Sequence, residues 1–363
     1  VLLGKPPQMQ RDVERVARTE PELSLEGIDL GVAAFDVLRH PTVASKRFLV
    51  TIGDRTVGGL SHRDQMVGPW QVPVGDVAVT LAAYDGFAGE AMASGERMPL
   101  AAIDAPASGR MAVGEALTNL LAAPAELERI KLSCNWMAAC GEPGEDAALF
   151  DTVAAVAMEL CPALGVGVPV GKDSLSMRTT WTDESGQGRK VVAPVSLVVT
   201  AFAALPDVRG TLTPQLRGGG SDLVLVDLGA GQNRLGGSIL GQVRGGFGGA
   251  VPDLDDPARM RALYAAMADL RERDLVLAYH DRSDGGLWAT VSEMAFAGRV
   301  GVQLGLPAGL SAADVVRALF AEELGVVLEV ARASLGDAVA LLREHGLGDC
   351  VQVVGRTMKA SAV

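Results

Sequence analysis

The chain has 363 residues, which at roughly 150 residues per domain suggests two domains. Hydrophobic residues make up 48% and charged residues 21%, so a large core can be buried and a disordered chain is excluded. A net charge of −12 with 4% aromatics excludes a nucleic-acid wrapper; a polyphosphate would need local Lys, backbone N–H groups or bridging cations.

Residues 47–52 (RFLVTI) read as a strand ending in the Gly53-Asp54 turn signal, and 72–83 as a second, alternating strand. Residues 105–123 read as a helix stopped by Pro124, and 130–132 as a short strand. A second helix is expected over 146–164 and a long strand over 191–205. Pro214 and the run Gly218-Gly219-Gly220 then mark a boundary, dividing the chain into 1–205 and 206–363. The second part alternates strand (222–228), helix (257–273), strand (275–279), helix (287–297), strand, helix (312–320), strand (325–330), helix (334–345) and strand (351–354). The fold class expected is α+β in the β-rich first half and α/β in the second.

A mean hydropathy of +0.25 raises the question of a membrane, but the apolar runs at 191–205 and 223–228 break before the about 20 residues a span needs. No basic segment followed by an apolar one suggests export. Cys134, Cys140, Cys161 and Cys350 form no CxxC, so zinc is not expected. The expectation is a cytoplasmic protein with reduced thiols.

Two Gly-rich segments fail as nucleotide loops. Arg234 stands where the dinucleotide fingerprint beginning at Gly229 needs its third Gly. Around Gly171-Lys172, Val166 and Asp173 occupy the positions where a phosphate-binding P-loop needs Gly and Ser or Thr.

Polar residues inside apolar segments carry more information. Asp76 lies in VPVGDVAVT, where an unpaired buried carboxylate would cost several kcal/mol. Glu115 and Asn119 are i and i+4 on one helix, so their oxygens share a face. That pair suits a hard cation such as Mg²⁺, or is simply a solvated helix face. The segment 279–287 (YHDRSDGGL) lies between a strand and a helix, where α/β sheets bind ligands. In it Asp281 can ligate a metal, Ser283 can hold a phosphate or nucleotide edge, and Asp284 can be a helix N-cap. His280 reads equally as a satisfied core residue, and His62 as a surface-loop residue or a base. No Ser-His-Asp or Cys-His set can be assembled from four His and four Cys.

Taken together, the blocks 40–80 (ending GLSHRDQMVGPWQVPVGDVAVT), 89–97 (GEAMASGER), 109–124 (GRMAVGEALTNLLAAP), 132–153, 169–179 (PVGKDSLSMRT), 233–243 (NRLGGSILGQV) and 278–298 (AYHDRSDGGLWATVSEMAFAG) resemble the large form of phosphoribosylformylglycinamidine synthase, a purine-biosynthesis ligase. The resemblance runs from about residue 5 to 358 and is to the second of two aminoimidazole-ribonucleotide-synthetase-like copies in that synthetase. It implies a β-rich half followed by an α/β half. It implies Mg²⁺ ligands at Asp76, Glu115, Asn119 and Asp281, and ATP or ADP contacts at Gly75 and Ser283. Many relatives carry Ala where Gly75 stands. Lys172, Asp173 and Ser174 resemble a loop that faces the main active site in smaller relatives.

The activity implied is conversion of formylglycinamide ribonucleotide, ATP and glutamine to formylglycinamidine ribonucleotide, ADP, phosphate and glutamate. ATP would phosphorylate the amide oxygen and ammonia would displace the phosphate. The partners implied are the first synthetase copy and a glutaminase domain, with self-pairing through the β-rich face as a substitute. The chain then reads as an excised half with an auxiliary nucleotide site, inactive alone. The alternative is a scaffold that binds Mg-nucleotide without turnover, and a third reading is another enzyme of the same superfamily. No catalytic residue is assigned.

Overall fold

The computed structural model describes residues 13–53 and 55–358, and Asp54 of the expected turn lies outside them. Two sheets organise these residues. The first has six strands in the order Ser61–Arg63, Ala78–Leu81, Gly89–Glu96, Ser196–Leu205, Lys131–Met137 and Gly167–Ser174. Its pairs are antiparallel except the last, which is parallel. The second has five strands, all antiparallel, in the order Ala278–Asp281, Gly325–Ala331, Ser221–Asp227, Val351–Met358 and Gly301–Leu304. The order of strands and helices in this half follows the sequence reading; the antiparallel pairing is a detail that alternation alone does not give.

Helix Ala105–Leu120 packs on the first sheet and is buried on nearly every side. Asp104 caps its start, accepting from Ala107 N–H at 2.9 Å, with Pro106 in the first turn. Gly95 lets strand Gly89–Glu96 lie directly on this helix, since a Cβ there would meet the Ala112 carbonyl oxygen at 2.3 Å.

The helix expected over 146–164 runs as continuous helical turns from Glu145 to Leu164 and stops at Gly165, which has a φ of 76°. By length and composition alone these 20 residues could cross a membrane. In the fold their inner face (Val156, Leu160, Cys161, Leu164) belongs to the main core, while Phe150 and Met158 stay exposed.

Three local expectations need correction. Residues 47–52 are not a strand: Arg47–Thr51 is a short helix with Phe48 and Leu49 exposed. No sheet edge receives the segment, so its backbone is satisfied locally, as by Leu49 N–H to the Lys46 carbonyl at 2.9 Å. The strand expected over 72–83 is two pieces, Val72–Pro73 and Ala78–Leu81, and the break between them carries Asp76. The strand expected over 191–205 divides before Pro194, which has no N–H to donate to a ladder. Its first piece pairs in the hairpin Arg178–Thr182 with Gly188–Val192, and its second joins the main sheet.

The two sheets meet across polar contacts as well as apolar ones. Arg110 forms a bidentate pair with Asp253 at 2.8 and 2.5 Å. The Tyr264 hydroxyl donates to the Leu117 carbonyl at 2.7 Å. Within the second half, Arg234, at the position that broke the dinucleotide fingerprint, pairs with the buried Glu323 at 2.7 Å and with Asp255 at 2.8 Å.

Candidate functional site

The break at residues 74–77 places Asp76 against the end of strand Ala278–Asp281, at the seam between the two sheets. The Asp76 side chain is 1% exposed and that of Asp281 7%, although among the described residues no arginine or lysine forms an ion pair with either. Ligand atoms of Asp76, His280 and Asp281 all lie within 4.8 Å of one another.

His280 does not need to be a ligand. Its Nδ1 is 2.6 Å from Asp76 Oδ1, and its Nε2 is 2.8 Å from Glu293 Oε2. Burial alone would lower its pKa, but the Asp76 carboxylate, followed by Glu293, outweighs this and holds it well above the usual value. Both ring nitrogens then donate, and the ring fixes Asp76 through one oxygen. The other Asp76 oxygen, Oδ2, is buried with no hydrogen-bond partner, and so is Asp281 Oδ2. Two orphaned carboxylate oxygens in one buried cluster are unstable as a pair of anions unless a cation or a proton joins them. Accordingly Asp281 is pushed well above the carboxylate range, by burial first and then by the Asp76 charge.

Glu115 extends the cluster. It is buried, and its pKa is raised to about 7, chiefly by burial against the opposing pull of Arg97. Its Oε2 accepts the Glu96 N–H at 2.6 Å, and its Oε1 accepts the Ser283 hydroxyl. Asn119 stands one turn on and donates its amide to the Ser94 carbonyl at 3.1 Å. Gly75 and Asp76 line a polar cavity of about 260 Å³ together with Arg63, Asp64, Thr213 and Arg217. A Cβ on Gly75 would meet the Asp64 carbonyl oxygen at 2.9 Å, so the backbone must shift slightly to admit Ala.

The structure therefore brings together Asp76, Asp281, Glu115 and Ser283, with Asn119 on the same helix as Glu115 and Gly75 at the cavity wall. It does not bring Lys172, Asp173 or Ser174 to the cluster. These lie on the outermost strand of the six-stranded sheet, largely exposed, with Lys172 Nζ bonded to Ser174 Oγ at 2.8 Å. His62 sits on strand Ser61–Arg63, its pKa lowered by burial. All four cysteines are buried and without disulfides.

Sequence reading missed Arg97 and Glu322. Arg97 is 3% exposed and pairs with Glu322 at 2.8 Å and with Asp284 at 3.1 Å. Glu322 also accepts the N–H groups of Ile239 and Gly285, each at 2.8 Å, and burial raises its pKa to about 7 despite Arg97. The available signal was the acidic pair Glu322-Glu323 set among the apolar residues of 319–328.

These shifts set a pH dependence. Glu115 and Glu322 hold protons up to about pH 7 in the fold but release them near the ordinary glutamate value of 4.5 when unfolded. Their contribution to stability is full below about pH 4.5 and is lost as pH rises through about 7. In EDTA the melting temperature should fall between about pH 5.5 and 8, and millimolar Mg²⁺ should narrow that fall. Thermal melts at the two pH values check this; a rise with pH in EDTA would contradict it.

Residues 45–204 match the family model described as the FGAR-AT PurM_N-like domain, and residues 220–363 match that of the AIR synthase related protein, C-terminal domain. The fold is similar to that of T. maritima PurL complexed with ATP, with a TM-score of 0.60 and 14% identity over 92% of this chain and 49% of that one. T. maritima PurL complexed with FGAR matches with the same score and identity, over 92% and 50%. E. coli HypE, a hydrogenase maturation protein, matches with a TM-score of 0.51 and 19% identity, over 75% of this chain and 80% of that one. The chain thus carries two AIR synthase-related domains and spans about half the length of the PurL chains it matches.

Proposed function

We propose that this chain, two AIR synthase-related domains with an acidic cluster at their seam, binds a Mg-nucleotide as the second synthetase half of a phosphoribosylformylglycinamidine synthase. The observation that carries this reading is the pair of orphaned oxygens, Asp76 Oδ2 and Asp281 Oδ2, buried within one cluster. Carboxylate and amide oxygens suit Mg²⁺, which also keeps phosphate oxygens in its shell. Asp76, Asp281, Glu115 and Asn119 would hold the cation, which when bound offsets the negative charge of the phosphates. Ser283 and the backbone at Gly75 would touch the nucleotide, with Arg63 and Arg217 of the adjoining cavity available to its phosphates. In the proposed parent reaction the formylglycinamide oxygen takes the phosphoryl group of ATP, and ammonia then displaces phosphate to give the amidine.

The position of the cluster favours an auxiliary role for the site in this half. Its candidate ligands come from both halves of the chain, Asp76, Glu115 and Asn119 from the first and Asp281 from the second, so a bound Mg-nucleotide would join them. The similarity to HypE, a hydrogenase maturation protein, keeps a second activity open on the same fold, and the substrate dependence of turnover in the assembled enzyme separates the two.

A ligand present at 100 times its Kd adds about 2.7 kcal/mol to stability. ADP with Mg²⁺ should therefore raise the melting temperature by several degrees, and EDTA should remove the gain. An unchanged melting curve at millimolar Mg-ADP and Mg-ATP would overturn the nucleotide reading.

A further inference from the structure

The ligand-bearing helix Ala105–Leu120 ends against side chains of the second half. The Tyr279 hydroxyl donates to the Thr118 carbonyl at 2.5 Å, Tyr264 donates to the Leu117 carbonyl, and Arg271 donates to the Leu121 carbonyl. The carbonyls of a helix's last turn lack intrahelical donors and need outside partners. Leu117 has one within the helix, the Leu121 N–H at 3.0 Å. The helical donor due to Thr118 would be the Ala122 N–H, but this bonds to the Asn119 carbonyl instead, at 3.3 Å. Tyr279 takes its place.

Tyr279 is fully buried and lies two residues before Asp281 on strand Ala278–Asp281. Alternation along a strand puts these two side chains on the same face. On the helix, Thr118 lies between Glu115 and Asn119. One hydrogen bond therefore ties the strand that carries Asp281, in the second sheet, to the helix turn that carries Glu115 and Asn119, which packs on the first sheet. We propose that Tyr279 is a positioning residue for the cation site: its hydroxyl, through the Thr118 carbonyl, sets the distance of Glu115 and Asn119 from Asp281. The inference rests on the cation reading of the cluster.

Tyr264 supplies the control. It makes the same kind of bond to the same helix, but from helix Pro257–Glu272, which carries none of the candidate ligands. The probe is Mn²⁺ with ADP, titrated into the full chain and followed by the loss of the free-ion magnetic resonance signal, beside thermal melts in EDTA. Tyr279→Phe and Tyr264→Phe should both lower the melting temperature in EDTA, since each leaves a carbonyl short of one donor. Only Tyr279→Phe should weaken Mn²⁺, by about tenfold, near the lower end of the range for losing a donor to a buried acceptor; Tyr264→Phe should stay within about twofold. Equal weakening in both variants would show a merely structural role and overturn the proposal. Wild-type binding with no change in Tyr279→Phe would overturn it and leave the cation reading intact. Absence of Mn²⁺ binding in the wild type would overturn both.

Discussion

Replacing Arg97 by Met should destabilise the chain by about 3–5 kcal/mol, because it leaves a buried carboxylate without its counter-charge. Arg97 and Glu322 are 3% and 1% exposed, and they join the first sheet to the loop that follows helix Ala312–Phe320. Glu322 would still accept from Ile239 and Gly285, so the carboxylate cannot swing out to water without freeing two more buried groups. Its pKa is already raised to about 7 and would rise further once Arg97 is gone. The loss should therefore shrink at acidic pH, where Glu322 is protonated in the folded variant. The double variant Arg97→Met with Glu322→Gln should recover part of the loss. Denaturant unfolding at about pH 6 and 8 measures all of this; a cost below about 1 kcal/mol at pH 8 would show that the pair does not hold the seam.

The second large effect concerns turnover. With ATP, Mg²⁺ and formylglycinamide ribonucleotide, this chain alone should give no detectable amidine, whether glutamine or ammonia supplies nitrogen. The cation cluster lies at the seam, whereas Lys172, Asp173 and Ser174 lie exposed on the outer strand of the first sheet. The groups that the resemblance aims at a main active site are thus far down the sheet from the candidate phosphate ligands and face no partner surface within the described residues. Loss of positioning alone can remove about 7–11 kcal/mol of barrier lowering. Release of ADP that depends on the ribonucleotide is the measurement. Such turnover would show that this half holds a complete active site and that the auxiliary reading is mistaken.

How much of this was legible in the sequence depended on whether the deciding interaction was local. Helix Ala105–Leu120 was legible because its helical spacing and the following Pro124 are local chemistry, and the structure adds an Asp104 cap at its start. Asp76 stood out because a carboxylate in VPVGDVAVT has no local partner, and the break in the strand is how the chain accommodates it. The helix at Arg47–Thr51 was not legible: RFLVTI has the residues of a strand, and only the lack of a neighbouring edge decides against it. Arg97, Glu322 and the Tyr279 bond to Thr118 join residues 225 and 161 positions apart in the chain, and no periodicity encodes such pairs. His280 was ambiguous for the same reason, since its two carboxylate partners are Asp76, 204 positions away, and Glu293, two turns into the following helix Gly286–Gly298.

The central claim is that the acidic cluster is a divalent-cation site. The direct measurement is Mn²⁺ binding to the full chain in the presence of ADP, with competition by Mg²⁺, for the wild type and for Asp281→Asn. Asparagine keeps the shape of the side chain but cannot supply the negative charge a cation would meet, so it should leave the fold intact by circular dichroism. One competable site in the wild type, weakened about tenfold or more in Asp281→Asn, is the predicted result. A wild type that binds no Mn²⁺, or an Asp281→Asn variant that binds as tightly as the wild type, would contradict it.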